Sequence, residues 1–178
     1  MGNGIFENVK EILPGHYLCF SKEGMTDHTY WDLFSCDHKD NYSETVEKVS
    51  FLIRDAVKRQ MVSDVPVCTF LSGGIDSSIV TALAYQYMKE HGETLNTFSF
   101  DFKGNDKYFQ SNSFQPERDL PYVNIMLKQY PSNHTYLECD QIVLADALYA
   151  AVDAKDFPGM ADVDASLLYF CSHVKQHN

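Results

Sequence analysis

Long apolar runs are missing from this chain of 178 residues. No segment reaches the roughly 20 residues that a membrane-spanning helix needs, and the N-terminus lacks the charged-then-apolar pattern of a secretory leader. Positive charge is scarce as well, with 14 Lys and Arg against 25 Asp and Glu for a formal net charge of -11. Such a balance argues against non-specific binding to nucleic acid or to an anionic membrane surface. The five cysteines, Cys19, Cys36, Cys68, Cys139 and Cys171, lie far apart without a Cys-x-x-Cys pair, the pattern expected of reduced, cytosolic thiols that hold no metal. Internal repeats and low-complexity tracts are absent. What is present suits a globular core with a small appendage, at an ordinary hydrophobic content of 44%.

Chemistry concentrates in one stretch, the apolar run from Val65 to Leu71 followed by Ser72-Gly73-Gly74-Ile75-Asp76-Ser77-Ser78. The apolar run predicts a buried strand, and an amphipathic helix is expected over residues 79–91. A strand, a glycine turn and a helix start form an anion site in that order. Glycines let the backbone approach an oxyanion without obstruction. The first helical N–H groups have no intrahelical partner, and the helix dipole adds partial positive charge there. The hydroxyls of Ser72, Ser77 and Ser78 supply further donors. The longer loop and the lysine of the Walker A pattern are missing, and a carboxylate, Asp76, stands near the anion instead. Asp76 is then either a helix cap accepting from first-turn amides or a magnesium ligand facing a polyphosphate.

The heptapeptide Ser72–Ser78 in its strand-helix setting resembles the pyrophosphate loop of the N-type ATP pyrophosphatases, enzymes that cut ATP between the α and β phosphates to adenylate a substrate. Pro14-Gly15-His16-Tyr17 and the later Tyr30-Trp31-Asp32-Leu33 narrow the likeness to the glutamine-hydrolysing asparagine synthetases, at the junction between their glutaminase and synthetase domains. The resemblance implies an α/β fold, a parallel sheet with helices on both faces, truncated and preceded by a short β-hairpin. It implies residues 1–36 as the end of a glutaminase domain and 37–178 as the front part of a synthetase domain, with the glutaminase half and its N-terminal cysteine missing. It implies ATP and Mg2+ as cofactors, with Leu71, Ser72, Gly73, Gly74, Asp76, Ser77, Ser78 and Phe100 at the nucleotide and Asp76 at the metal. The backbone near Phe100 would take the adenine and Leu71 would lie near the same base; Phe100 also suits a plain core position. The expected substrates are ATP, L-aspartate and glutamine-derived ammonia, in a cytoplasmic enzyme able to form a homodimer, with no nucleic-acid or membrane partner. No catalytic residue is named, because a carboxylate nucleophile needs no general base.

Two departures qualify the acceptor and the extent of the chain. The family usually carries an arginine for the amino-acid substrate, and residues 155–175 hold none. The family's second signature, a Ser-Gly-Glu turn followed by Asp-Glu, is also absent, so the chain reads as a fragment, inactive alone. Two alternatives stay open: another adenylating amidotransferase or β-lactam-type cyclase of the superfamily, or a nucleotide-binding module without catalysis.

Around the loop, strands are expected over residues 16–20 and 28–31 as a hairpin. A helix from Tyr42 is expected with Ser43 as its cap and Val46, Val49, Ile53, Ala56 and Val57 on a buried face. Gly92 is a helix end. A strand over residues 95–102 and a third over 134–139, separated from their predecessors by helices, demand parallel pairing with right-handed crossovers. Ligands of such sheets sit beyond the carboxyl ends of the strands, which brings Phe100 beside Ser72. The polar stretch 103–117 is a binding or lid loop, with Lys103 and Lys107 either phosphate contacts or solvated. A helix is expected over 118–130, one from Gln141 to about Val152 capped by Asp140, and a last helix over 165–176 capped by Asp164.

Overall fold

The computed structural model describes residues 2–113 and 116–177, and the chain divides into two compact units, Met1–Thr45 and Val46–Asn178.

In the first unit, β1 (Gly2–Asn3) pairs antiparallel with β2 (Lys10–Glu11), and β3 (His16–Ser21) with β4 (Gly24–Thr29). The hairpin turn is tight, with Ser21 opposite Gly24, so β4 starts four residues before the expected strand, at a glycine whose φ is 130°. Gly15 precedes β3 at φ 74°, and its carbonyl accepts from the Tyr30 and Trp31 amides at 2.9 and 3.2 Å. A side chain on Gly15 would strike the Trp31 carbonyl, so both backbone angle and space require glycine there.

Helix α1 (Tyr42–Gln60) begins in this unit. Its cap is Asn41, not Ser43: Asn41 Oδ1 accepts from the Glu44 amide at 3.1 Å while Glu44 Oε2 accepts from the Asn41 amide at 2.9 Å. This reciprocal pair is a capping box with its cap two residues before the expected Ser43. The expected buried face is not covered. No α1 residue is buried among the described ones, and Val46 and Val49 remain about half exposed.

In the second unit, β5 (Cys68–Phe70), β6 (Asn96–Phe102) and β7 (Asn133–Cys139) form a parallel sheet in the order β5-β6-β7, with Thr69 opposite Thr97 and Thr97 opposite His134. Between them lie α2 (Ile75–Glu90), the short α3 (Asn105–Tyr108) and α4 (Leu120–Gln129), followed by α5 (Gln141–Lys155) and α6 (Ala161–His177). Side chains alternate between faces along a strand. One face carries Thr69, Thr97 and Ser99, where Thr69 bonds Thr81 of α2 at 3.0 Å. The other carries Phe70, Phe98 and Phe100, where Phe100 stacks on Phe170 of α6 at 4.1 Å between ring centroids. Helices therefore cover both faces, as expected.

The two faces are held differently. On the hydroxyl face each buried polar group finds a partner: Thr97 bonds Ser132 and His134 at 2.8 and 2.9 Å, and Ser99 donates to the Leu71 carbonyl at 2.5 Å. Buried polar atoms left without partners would be costly. The aromatic face is apolar, and Phe98 is 1% exposed. A hydrophobic cluster of Met61, Ala84 and Leu95 packs with Val67, Tyr85, Tyr87 and Met88 along the second half of α2.

Several boundaries differ from the sequence expectations. β5 contains three residues, and Val65 is exposed outside it. α2 starts at Ile75, not Ile79, so Asp76, Ser77 and Ser78 form its first turn. Its end at Gly92 holds: Gly92 has φ 73°, with the Glu93 amide donating to Met88 O at 2.9 Å and that of Gly92 to Lys89 O at 3.1 Å, a Schellman arrangement. The 103–117 stretch contains α3, while Phe114 and Gln115 lie outside the described residues. Asp140 caps α5 as expected, accepting from the Ile142 amide at 2.9 Å. Asp164 does not cap α6, which starts three residues earlier; its carboxylate pairs with Lys155 at 2.6 Å.

Phe98 is the most enclosed aromatic of the sheet. Phe98→Ala is expected to lower unfolding stability by about 3–5 kcal/mol through lost burial and the cavity left behind, seen as a lower urea midpoint.

Candidate functional site

The loop after β5 grows out of a strand end fixed from two sides. The Leu71 amide donates to Phe98 O at 2.8 Å, and the Leu71 carbonyl accepts from Ser99 Oγ at 2.5 Å. Leu71 itself is 1% exposed. Beyond it the chain leaves the sheet through Ser72, Gly73 and Gly74 and enters α2. Gly74 is the N-cap in an extended conformation, and no side chain caps this terminus. Asp76 is thus not the cap; it stands exposed in the first turn. The physical reason is the earlier helix start, which puts Asp76 past the position whose oxygen could turn back onto the first amides.

Serine hydroxyls shape the loop from within. Ser72 Oγ and Ser77 Oγ are 2.9 Å apart, the Ser72 amide donates to Ser77 Oγ at 3.3 Å, the Gly74 amide to Ser72 Oγ at 3.4 Å, and Ser77 Oγ to Gly74 O at 3.2 Å. The Ser78 amide makes a helical bond to Gly74 O at 3.0 Å. Two hydroxyls and an uncapped first turn face one concave backbone. That arrangement can receive an anionic group by exchanging internal hydroxyl bonds for bonds to the ligand.

Gly73 explains why the loop curls this way. Its φ is 80°, and a Cβ there would meet the Asp119 carbonyl oxygen at 2.8 Å and Tyr122 Cβ at 2.9 Å. The start of α4 therefore packs against the glycine, a contact that neither motif nor spacing announces.

Leu71, Ser72 and Phe100 line one cleft of about 180 Å³, together with Ser99, Asp101 and Asp119. Of the sequence-nominated residues, these three are brought to the cleft wall. Gly73, Gly74, Asp76, Ser77 and Ser78 build the adjacent loop and helix start. Lys103 lies 3.7 Å from Asp140, and among the described residues no group of three or more His, Cys, Asp or Glu is arranged to hold a metal on its own.

The wall opposite the loop holds residues the sequence reading missed. Asp101 accepts from Tyr136 Oη at 2.8 Å, Asn105 Nδ2 at 2.6 Å and Arg118 at 3.3 Å. Burial pushes its carboxyl up, but the Tyr136 hydroxyl, the Phe102 amide, Asn105 and Arg118 outweigh burial and hold it below the ordinary value. Asp119 moves the other way, raised by burial and by the charge of Asp101. Burial, then Asp101, pushes the Tyr136 phenol well up. Burial lowers His134, whose Nδ1 is 2.9 Å from Thr97 Oγ1, in keeping with a packed imidazole. A carboxylate inside an aromatic strand, one residue before its end, was the available clue to Asp101; its partners lie 4, 17 and 35 residues away.

The sequence profile of the asparagine synthase family matches residues 48–178. Glutamine-hydrolysing asparagine synthetase 3 of Bacillus subtilis (strain 168) is 49% identical over 176 residues, covering 98% of this chain and 29% of that protein. Putative glutamine-hydrolysing asparagine synthetase 2 of Methanocaldococcus jannaschii is 33% identical over 134 residues, covering 73% of this chain and 23% of that protein. Amidase chry2 of Gibberella zeae is 42% identical over 90 residues, covering 48% of this chain and 13% of that protein. The chain spans less than a third of the length of each of these relatives.

The two carboxylates predict opposite pH responses. The stability Asp101 contributes is fully present above the ordinary carboxylate pKa and is lost as pH falls through its lower folded value. The raised pKa of Asp119 means that its charge costs stability at neutral pH, a cost relieved as pH falls through that folded value. The stability gap between the natural chain and Asp101→Asn should be flat from pH 7 to about 5 and shrink below that, while Asp119→Asn should exceed the natural chain at pH 7 and converge with it on acidification, both by urea unfolding. Gly73→Ala, strained and obstructed, should cost about 1–3 kcal/mol in the same assay.

Proposed function

This chain belongs to the asparagine synthase family, and from that premise we propose that it forms the ATP-handling front of a ligase that amidates L-aspartate to L-asparagine with ammonia drawn from glutamine, releasing AMP and pyrophosphate. The observation that carries this reading is the loop at Ser72–Ser78: a strand end bonded on both sides to β6, two glycines, two mutually bonded serine hydroxyls and an uncapped helix start, all beside the cleft at Phe100.

In this reading the base of ATP lies against the backbone at Phe100 and beside Leu71, and the β and γ phosphates rest on Ser72, Gly73, Gly74, Ser77 and Ser78. The acceptor carboxylate attacks the α-phosphorus; the bond to the bridging oxygen breaks and pyrophosphate departs, leaving an acyl-adenylate. Ammonia then adds at the acyl carbon and AMP leaves with the bonding electrons. Loop amides and hydroxyls receive the departing pyrophosphate as its charge grows, where fixed donors act without reorganising. The donor set fits Mg2+ as that ion usually binds polyphosphate, through one or two carboxylates with phosphate oxygens and water; Asp76, exposed and free of any capping role, would hold it. Bound there, Mg2+ offsets negative charge on the leaving group. The family likeness also supports reading residues 1–36 as the tail of a glutaminase domain and 37–178 as the start of a synthetase domain.

Magnesium-dependent ATP binding by this chain, measured by calorimetry, tests the reading, together with ATP–pyrophosphate exchange in a protein of the relatives' full length that carries this sequence. Asp76→Asn is expected to abolish exchange with L-aspartate. Exchange retained in that variant would remove Asp76 from the metal, and ATP binding absent from the unaltered chain would overturn the proposed function.

A further inference from the structure

Asp101 stands where β6 runs out at the carboxyl edge of the sheet, one residue beyond Phe100. Its side chain is 14% exposed and accepts four bonds. Oδ1 takes the Phe102 amide at 2.8 Å and Asn105 Nδ2 at 2.6 Å; Oδ2 takes the Tyr136 hydroxyl at 2.8 Å and Arg118 at 3.3 Å. The donors come from the strand itself, from α3, from β7 and from the residue before the N-cap of α4. One carboxylate thereby joins four separate parts of the cleft's surroundings. Arg118 Nε is buried without a partner among the described residues, so the guanidinium is held here chiefly by its bond to Asp101.

We propose that Asp101 is a positioning residue for the nucleoside end of the bound nucleotide. Its bond to the Phe102 amide fixes the peptide groups that follow Phe100, and its bonds to Asn105, Arg118 and Tyr136 set the wall those peptide groups face. This rests on the ATP-binding reading above and adds a residue outside the loop motif. The hydrogen bonds that shape the loop, those of Leu71 to β6 and those between Ser72 and Ser77, do not pass through Asp101, and its packing on α4 is made by the Asp119 backbone and Tyr122 against Gly73. Nucleoside recognition and pyrophosphate recognition are consequently separable by substitution.

The experiment compares binding of ATP and of inorganic pyrophosphate, each with Mg2+, to the full 178-residue chain. Asp101→Asn places an NH2 group where Tyr136 and Arg118 already donate, while keeping the shape of the side chain. ATP is expected to bind about tenfold more weakly, with pyrophosphate within about twofold of the unaltered chain. Tyr136→Phe, which removes a single donor and keeps the ring, should weaken ATP in the same sense by about threefold and serves if Asp101→Asn does not fold. A purely structural role would move both ligands together or neither. ATP affinity unchanged in the folded variants, or both ligands weakened in parallel, overturns the inference while leaving the loop reading intact. Failure of the unaltered chain to bind either ligand instead overturns the reading on which it rests.

Discussion

Pairing of Leu71 with β6 is the constraint on which the rest of the second unit depends. Its amide donates to Phe98 O and its carbonyl accepts from Ser99 Oγ. Those two bonds extend the parallel register one residue past the last paired position of β5, so the strand leaves the sheet at a fixed point and in a fixed direction. β5 has three residues, too few to be held by ladder bonds alone, and without the Ser99 hydroxyl the loop would start from a fraying end. The buried serine thus connects the core to the site: it satisfies a carbonyl that would otherwise be orphaned and anchors the turn that carries the glycines.

The second constraint is the contact of that turn with α4. Gly73 combines a left-handed backbone with a close approach to the Asp119 carbonyl and Tyr122. Two helix starts, that of α2 after Gly74 and that of α4 after Asp119, therefore meet near one loop. Their oriented amides add positive potential, a local feature in a chain whose net charge is -11. The opposed shifts of Asp101 and Asp119 belong to the same crowding: one carboxylate is satisfied by four donors, while its neighbour carries the burden of burial and repulsion.

How much of this could be read in advance varied with the range of the interaction responsible. The strand-glycine-helix turn after Leu71 and the Asp140 cap were legible because each rests on residues close in sequence, and the parallel order because a helix between successive strands demands a crossover. Asp76 was ambiguous because capping depends on where a helix begins to within one residue, and α2 begins four residues earlier than its hydrophobic spacing suggests. Asn41 took the place of Ser43 for the same reason. The apolar stripe of α1 was legible as a pattern, yet pattern does not say what covers it, and in the described residues Val46 and Val49 remain about half exposed.

From its sequence alone this protein has a strand-glycine-helix crook, a parallel α/β order and the chemical character of the residues at Ser72–Ser78, because backbone propensity, glycine freedom and hydrophobic period act over a few residues. Tertiary structure decided that Asp101, Asn105, Arg118 and Tyr136 share one carboxylate, that α4 closes on Gly73 and that Asp76 stands free of the cap. Those outcomes depend on which distant segments the sheet brings side by side, and local sequence carries no measure of that distance.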